Sequence, residues 1–402
     1  MMPLGADPPT RSPARVVAIG AAANVVCLLP VFLTGSMATF IEDDLSLGAA
    51  TLGFAVALYR GAGAVTSPLL GRRVDRIGAT KSARIATAGA ALASLGIALT
   101  AHSTLVLVLW LMFAGCTIAL SQPAANRLLA SGVTSTGLGK AFGFKQSAPP
   151  VASTVAGLSV PLVAFTVGWR WAFVAAAILA LLTTIAVRPV PRRTRVVAPP
   201  VTRGKADRAT ILVLAAAFGL GTSVSSSITT FFVVSAVEDG TGEVVAGTLL
   251  AVAGMLAVVT RIVAGVVSDR TPSDHLRGCA WLVSFGAIGV ATLAVADTVP
   301  LQTVGVVVAI VGTWGFNGVF WFALIKAFPG SPGAITGSVA PGALLGSTIG
   351  PIVFGLLAEG AGYPTAYWVF TAVAAATAVG LVAGNSRLRE LAPGSDPASV
   401  PR

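Results

Sequence analysis

The chain has 402 residues, 55% of them hydrophobic and only 10% charged, with a mean hydropathy of +0.87 and a formal net charge of +11. A water-soluble domain of this length could not cover so much apolar surface with polar groups, so the chain belongs in a bilayer. The positive charge does not point to nucleic acid, because the basic residues are dispersed among loops and form no interleaved basic and aromatic surface.

Crossing ~30 Å of hydrocarbon takes about 20 residues of helix. After a polar tail over 1–14, apolar runs predict helices at about 15–37, 48–70, 82–101, 104–126, 141–166 and 171–187. The segment 188–208, with four prolines and seven Lys or Arg, cannot bury enough apolar surface to fold and reads as a linker. Six further runs follow at about 209–235, 244–267, 279–296, 301–325, 334–358 and 364–384, then a tail over 385–402. The fold class is therefore an all-α membrane protein of twelve helices, with six-helix bundles over 15–187 and 209–384. The first helix is too long for a typical signal core and is needed to complete its bundle. Cys27, Cys116 and Cys279 have no metal-ligand spacing and read as small packing residues, so no metal or cofactor is expected.

The two halves repeat. Gly71-Arg72-Arg73-Val74-Asp75-Arg76 returns 194 positions on as Gly265-Val266-Val267-Ser268-Asp269-Arg270, and Gly168 with its following aromatics corresponds at the same offset to Gly362. Each charged motif lies between apolar runs and is expected to form a short loop at one membrane face. With the N-terminus cytoplasmic, every Lys and Arg except Arg60, Lys145, Arg261 and Arg170 falls in inner loops, tails or inner helix ends. The first and seventh helices are instead followed by Glu42, Asp43 and Asp44 and by Glu238, Asp239 and Glu243, as the positive-inside rule requires. Both termini are expected to be cytoplasmic, in a multi-pass protein of the cell membrane.

Twelve helices as two sixes, a cytoplasmic central loop, and Gly71, Asp75, Arg76, Gly78 and Lys81 between the second and third helices resemble the major facilitator superfamily over essentially the whole chain. The resemblance implies alternating access about a central site. It also implies an inner gate in which Asp75 faces the positive N-terminal end of a helix near residue 334, with Arg73 and Arg76 as ionic partners. Asp269 and Arg270 are the second copy, but it lacks the following Gly and basic residue. Gly350-Pro351 in the eleventh helix supplies a flexing point.

The residues themselves point to the solute. Arg60, Lys145 and Arg261 lie within helices, where a cation costs about 2.5–3.5 kcal/mol even on insertion scales, and no Asp or Glu lies in a helix interior. Rise per residue places Arg60 roughly 15 Å and Arg261 roughly 9 Å from the inner ends of their helices. Shifted by the repeat, the two occupy equivalent faces two turns apart; similar helices of the resembling superfamily flank the central cavity, which implies that both guanidiniums point toward one path. Permanently charged planar forks suit carboxylate, nitrate or phosphate oxygens. The blander alternative is that Arg261 and Lys145 snorkel to lipid phosphate or to helix ends.

Asn24, Gln122, Asn126, the stripe Thr222, Ser226 and Thr229, and Trp314, Asn317 and Trp321 stand on the first, fourth, seventh and tenth helices, which in the resembling superfamily line the cavity. Drug efflux by proton antiport is the alternative, although it would want an intramembrane carboxylate; a transporter-like sensor is another. No constellation of Ser, Cys or carboxylate surrounds His102 or His275, so no enzyme is expected. The expected partners are a small anionic solute and membrane lipid, with the chain a monomer.

Overall fold

The computed structural model describes residues 13–46, 48–132, 144–187, 207–270, 274–328 and 332–390, which are helical apart from short connections. In hydrocarbon every backbone N–H and C=O must find a partner within the protein, and a continuous helix does this within one segment. The helices are α1 (Pro13–Ser36), the short α2 (Ala38–Leu45), α3 (Ala49–Ile77), α4 (Ala79–Thr100), α5 (Thr104–Gly132), α6 (Phe144–Val167), α7 (Trp169–Ala186), α8 (Arg208–Glu238), α9 (Glu243–Arg270), α10 (His275–Leu293) and α11 (Val299–Ala327). Pro332–Glu390 is two helices, α12 (332–361) and α13 (363–390), meeting at Gly362, whose φ of 81° no helix accommodates.

Ten helices among the described residues are long and apolar enough to cross a membrane. Dividing the last at Gly362 and adding α3, whose mean hydropathy is lowered by Arg60 and the charges of 72–76, is consistent with twelve. They form two six-helix bundles, α1 and α3–α7 and then α8–α13.

Several boundaries differ from the sequence expectation, among them the end of α5, which runs to Gly132 and not 126. The charged motifs are not loops: α3 continues through Gly71–Ile77 and α9 through Gly265–Arg270 as their final turns. Nothing in Arg72–Ile77 breaks a helix, and the chain turns only at Gly78, with φ 88° and its N–H on the Val74 carbonyl. The C-terminal tail begins later than expected, because α13 runs on to Glu390. In α6 the turn widens to a π-helix over Val160–Ala164, which accommodates Pro161 and its missing N–H. The anticipated linker lies outside the described residues up to 206, as do residues 1–12 and 391–402.

The bundles meet along α1 with α8, α3 with α12, and α6 with α9. The close backbone approaches cluster toward the face opposite the linker. A Cβ at Gly53 would collide with the Pro351 carbonyl, and Gly355 approaches the carbonyl of Ala49, Gly35 that of Thr230 and Gly157 that of Gly247. Nearer the linker face, Gly61 and Gly71 have nothing within 4 Å of where a Cβ would stand, and Val65 is 81% exposed.

Candidate functional site

A narrow cavity lies where the bundles meet, walled by Val31 and Phe32 of α1, Val56 and Arg60 of α3, Ser226, Thr229 and Thr230 of α8, and Trp314 of α11. Its aromatic contact joins the bundles directly, with the Phe32 and Trp314 ring centroids 6.3 Å apart. The Trp314 indole N–H donates to Thr229 Oγ1 at 3.1 Å, which orients the ring. Thr229 and Thr230 donate their own hydroxyl protons to the Ser225 and Ser226 carbonyls at 2.6 and 2.8 Å, and Ser226 donates to Ser347 O at 3.4 Å. These hydroxyls therefore keep acceptor lone pairs for a ligand.

Arg60 is the one charged residue of this lining. It stands about 16 Å along α3 from Ala49 at 1.5 Å per residue. Tyr59 beside it donates to the Cys27 carbonyl at 2.9 Å and so pins α3 on α1. Among the described residues no carboxylate pairs with Arg60, and its buried Nε–H has no acceptor. Its recorded partner is the ring of Tyr59, 5.9 Å from the guanidinium carbon.

Arg261 does not share the cavity with Arg60, contrary to the sequence expectation. It lies behind Trp314, its guanidinium carbon 5.3 Å from that ring's centroid. Its Nε donates to the Trp314 carbonyl at 2.8 Å and an Nη donates to the Gln146 carbonyl of the other bundle. The reason is local. The Gln146 carbonyl lacks its i+4 donor because Pro150 has no N–H, and the Trp314 carbonyl lies within reach, so a buried arginine with no carboxylate beside it among the described residues takes carbonyls.

Lys145, 4% exposed, is likewise occupied: its ammonium donates to Gln122 Oε1 at 2.6 Å and Asn126 Oδ1 at 2.7 Å. Those three anticipated binding residues form one cluster within the first bundle. Asn24 accepts from Ser121 at 2.8 Å and leaves a buried amide nitrogen without a partner. Of the α11 trio only Trp314 reaches the cavity. Asn317 donates to its own helix at Thr313 O, and Trp321 packs edge-on against Phe218 at 4.9 Å. In the α8 stripe, Thr222 is spent on the Gly219 and Ala343 carbonyls.

At the expected gate, Arg73 and Arg76 are exposed on the last turns of α3, and Arg127 of α5 donates to the Val74 carbonyl at 3.4 Å. The side chains of Asp75, Asp269 and Arg270 lie outside the described residues. Pro351 is buried against α3. Four lining residues escaped the sequence reading: Val31, Phe32, Val56 and Thr230. Val56, one turn before Arg60, was deducible from i, i+4 spacing; nothing in the sequence marks Phe32 among its apolar neighbours.

Two six-helix bundles closing on a central cavity define a membrane transporter that works by alternating access, and not an enzyme. The sequence profile of the Major Facilitator Superfamily matches residues 20–340, and the chain belongs to that family. Similar solved structures include two of a bacterial homologue of the human lysosomal transporter Spinster. One is inward-facing and occupied (TM-score 0.71, covering 96% of this chain and 97% of that one), the other inward-facing and unoccupied (0.70, 96% and 98%), each at 16% identity. At that identity the likeness concerns the fold. No curated protein matches the sequence.

Proposed function

We propose that the protein carries a small, singly charged organic anion across the cell membrane, its bundles rocking about the Arg60 cavity and a solute or ion gradient supplying the energy. One observation carries this reading: the Arg60 guanidinium faces a cavity between the bundles where, among the described residues, no carboxylate stands beside it and its buried Nε–H has no acceptor. A substrate carboxylate supplies that acceptor in the bidentate geometry a guanidinium favours. A single cation suits a single negative charge. Val31, Phe32, Val56 and Trp314 suit an apolar body, and the Ser226, Thr229 and Thr230 lone pairs suit a donor group on it.

The remaining residues take supporting roles. Arg261 holds Trp314 in place, and Lys145 with Gln122 and Asn126 stiffens the first bundle. Asn24, Asn317 and Trp321 border the path the substrate takes. Gly71, Arg73, Asp75, Arg76 and Gly78, with Asp269 and Arg270 as the repeat, gate the linker face, and Pro351 lets α12 flex. The positive-inside distribution puts the linker and both termini in the cytoplasm. On that topology the open positions at Gly61 and Gly71 support an inward-facing state, and the protein acts as a monomer in lipid.

A thermal-shift panel on the detergent-purified protein tests the reading with benzoate, nitrate, oxalate and tetraphenylphosphonium. A ligand at 100 times its dissociation constant adds about 2.7 kcal/mol of stability. Benzoate is expected to stabilise the wild type more than the divalent oxalate does, and Arg60→Lys to cut the gain to about 0.4–1.4 kcal/mol. Stabilisation by the lipophilic cation and by none of the anions would replace this reading with drug efflux.

A further inference from the structure

The contact that ties the bundles at the face opposite the linker involves a carboxylate on the unfavourable end of its own helix. Glu359 stands near the C-terminus of α12, where the helix dipole repels an anion. Its Oε2 accepts the backbone N–H of Ala50 at 2.9 Å, in the first turn of α3 on the other bundle. That N-terminus needs it. The N-cap of α3 is Gly48, which makes no side-chain cap bond, and the first turn of α3 contains no acid. A Cβ at Gly48 would stand 3.1 Å from Glu359 Oε2, so the glycine leaves room for the incoming carboxylate.

The repeat shows that this arrangement is particular to one seam. Ala49 corresponds at the 194-residue offset to Glu243, which begins α9 and places an acid in that helix's own first turn. Glu359 corresponds to Phe165 of α6, which has no charge to offer α9. One bundle's helix start is thus compensated within its own chain segment, while the other's is compensated only by contact with its neighbour. Beneath the bond, Gly53 against Pro351 and Gly355 against Ala49 bring α3 and α12 into backbone contact.

We propose that Glu359 is a latch between the bundles: it supplies the missing N-cap of α3 in trans, holds this face closed, and must let go whenever the bundles part here. The latch does not depend on which solute is carried, and it places part of the free energy of closure in a single exposed bond that salt can screen.

The test is a distance measurement by double electron–electron resonance. Spin labels go on Ser103→Cys and Asp297→Cys, in exposed loops of the first and second bundle at this face, in full-length protein lacking its native cysteines. Glu359→Ala is expected to raise the ratio of long to short distances about two- to fivefold, the worth of an exposed charge at a helix terminus. Glu359→Gln, which keeps an acceptor without the charge, should shift it less. Gly48→Asp supplies a cap in cis and repels Glu359, and is expected to open this face with Glu359 intact; it also serves if the Glu359 variants fold poorly. Raising the salt should lengthen the distance in the wild type and not in Glu359→Ala. Unchanged distances in both Glu359→Ala and Gly48→Asp, or an identical salt response in wild type and Glu359→Ala, would overturn the latch.

Discussion

Arg60 and Arg261 stand on α3 and α9, equivalent helices of the two bundles, and among the described residues neither has an acid beside it, yet the fold uses them in opposite ways. Arg261 spends its donors on the carbonyls of Trp314 and Gln146, while Arg60 leaves a buried N–H unspent and faces the cavity. A cation in a membrane interior is costly in either case. It is free to serve a solute only where the protein has not already satisfied it. Lys145, held by two amide oxygens, falls on the Arg261 side of this division.

The sharpest way to break the comparison is to exchange each arginine for lysine. Arg60→Lys keeps the charge and discards the fork, and should weaken anion binding about ten- to a hundredfold, equivalent to about 1.5–3 kcal/mol; equilibrium binding of radiolabelled benzoate reads it. Affinity equal to the wild type would remove Arg60 from the site. Arg261→Lys keeps the charge but loses the planar fork that spans the two carbonyls. It is expected to lower the stability of the detergent-purified protein by about 1–3 kcal/mol while changing anion affinity by only a few-fold through Trp314. A loss of binding as large as that of Arg60→Lys, at unchanged thermal midpoint, would make the two arginines equals after all.

A smaller effect sets the two faces of the protein against each other. Beyond the end of α1, burial first, then Glu238 of the other bundle and then Asp43, push the Glu42 carboxyl up to about 7 from its ordinary 4.5. A raised acid binds its proton more tightly in the packed arrangement, so closure of this face gains stability as the pH falls through about 7 and loses it as the pH rises from 4.5 toward 7. Interspin distances across this face should therefore shorten on acidification in the wild type, and far less in Glu42→Gln. No difference between the two would separate Glu42 from closure.

The smallest effect is expected at the linker face. There the hydrogen bond from Arg389, helped by Arg277, holds the half-buried Asp274 carboxyl below its ordinary 3.8, so this contact is present at neutral pH and fades only as the pH falls below that value. Exposed pairs of this kind contribute little. Arg389→Ala should leave the thermal midpoint at neutral pH nearly unchanged, and a large drop would mean that the end of α13 closes the bundle more firmly than an exposed pair allows.

Long apolar runs, the 194-residue repeat and Gly71, Asp75 and Gly78 made the bundles and the family legible without coordinates, because a bilayer leaves a chain of this composition few ways to satisfy its backbone. Helix ends were less legible. Charge was read as the end of a helix at Arg72–Arg76, whereas the backbone stops only where Gly78 takes a positive φ. The cavity was legible at Arg60, Ser226, Thr229 and Trp314. It was not legible at Phe32, a large apolar residue among others, whose role comes from meeting Trp314 across the bundle interface.

The sequence by itself determined that this chain lives in a membrane, that it is a duplicated set of helices, and that three cations lie inside them, since composition, periodicity and repeat are properties of the chain read along its length. Only the tertiary structure decided which cation is spent and which is free. Whether the carbonyls of Gln146 and Trp314 come within reach of Arg261, or the carboxylate of Glu359 within reach of Ala50, depends on how helices far apart in sequence cross, and hydrogen bonds act only over those last few ångströms.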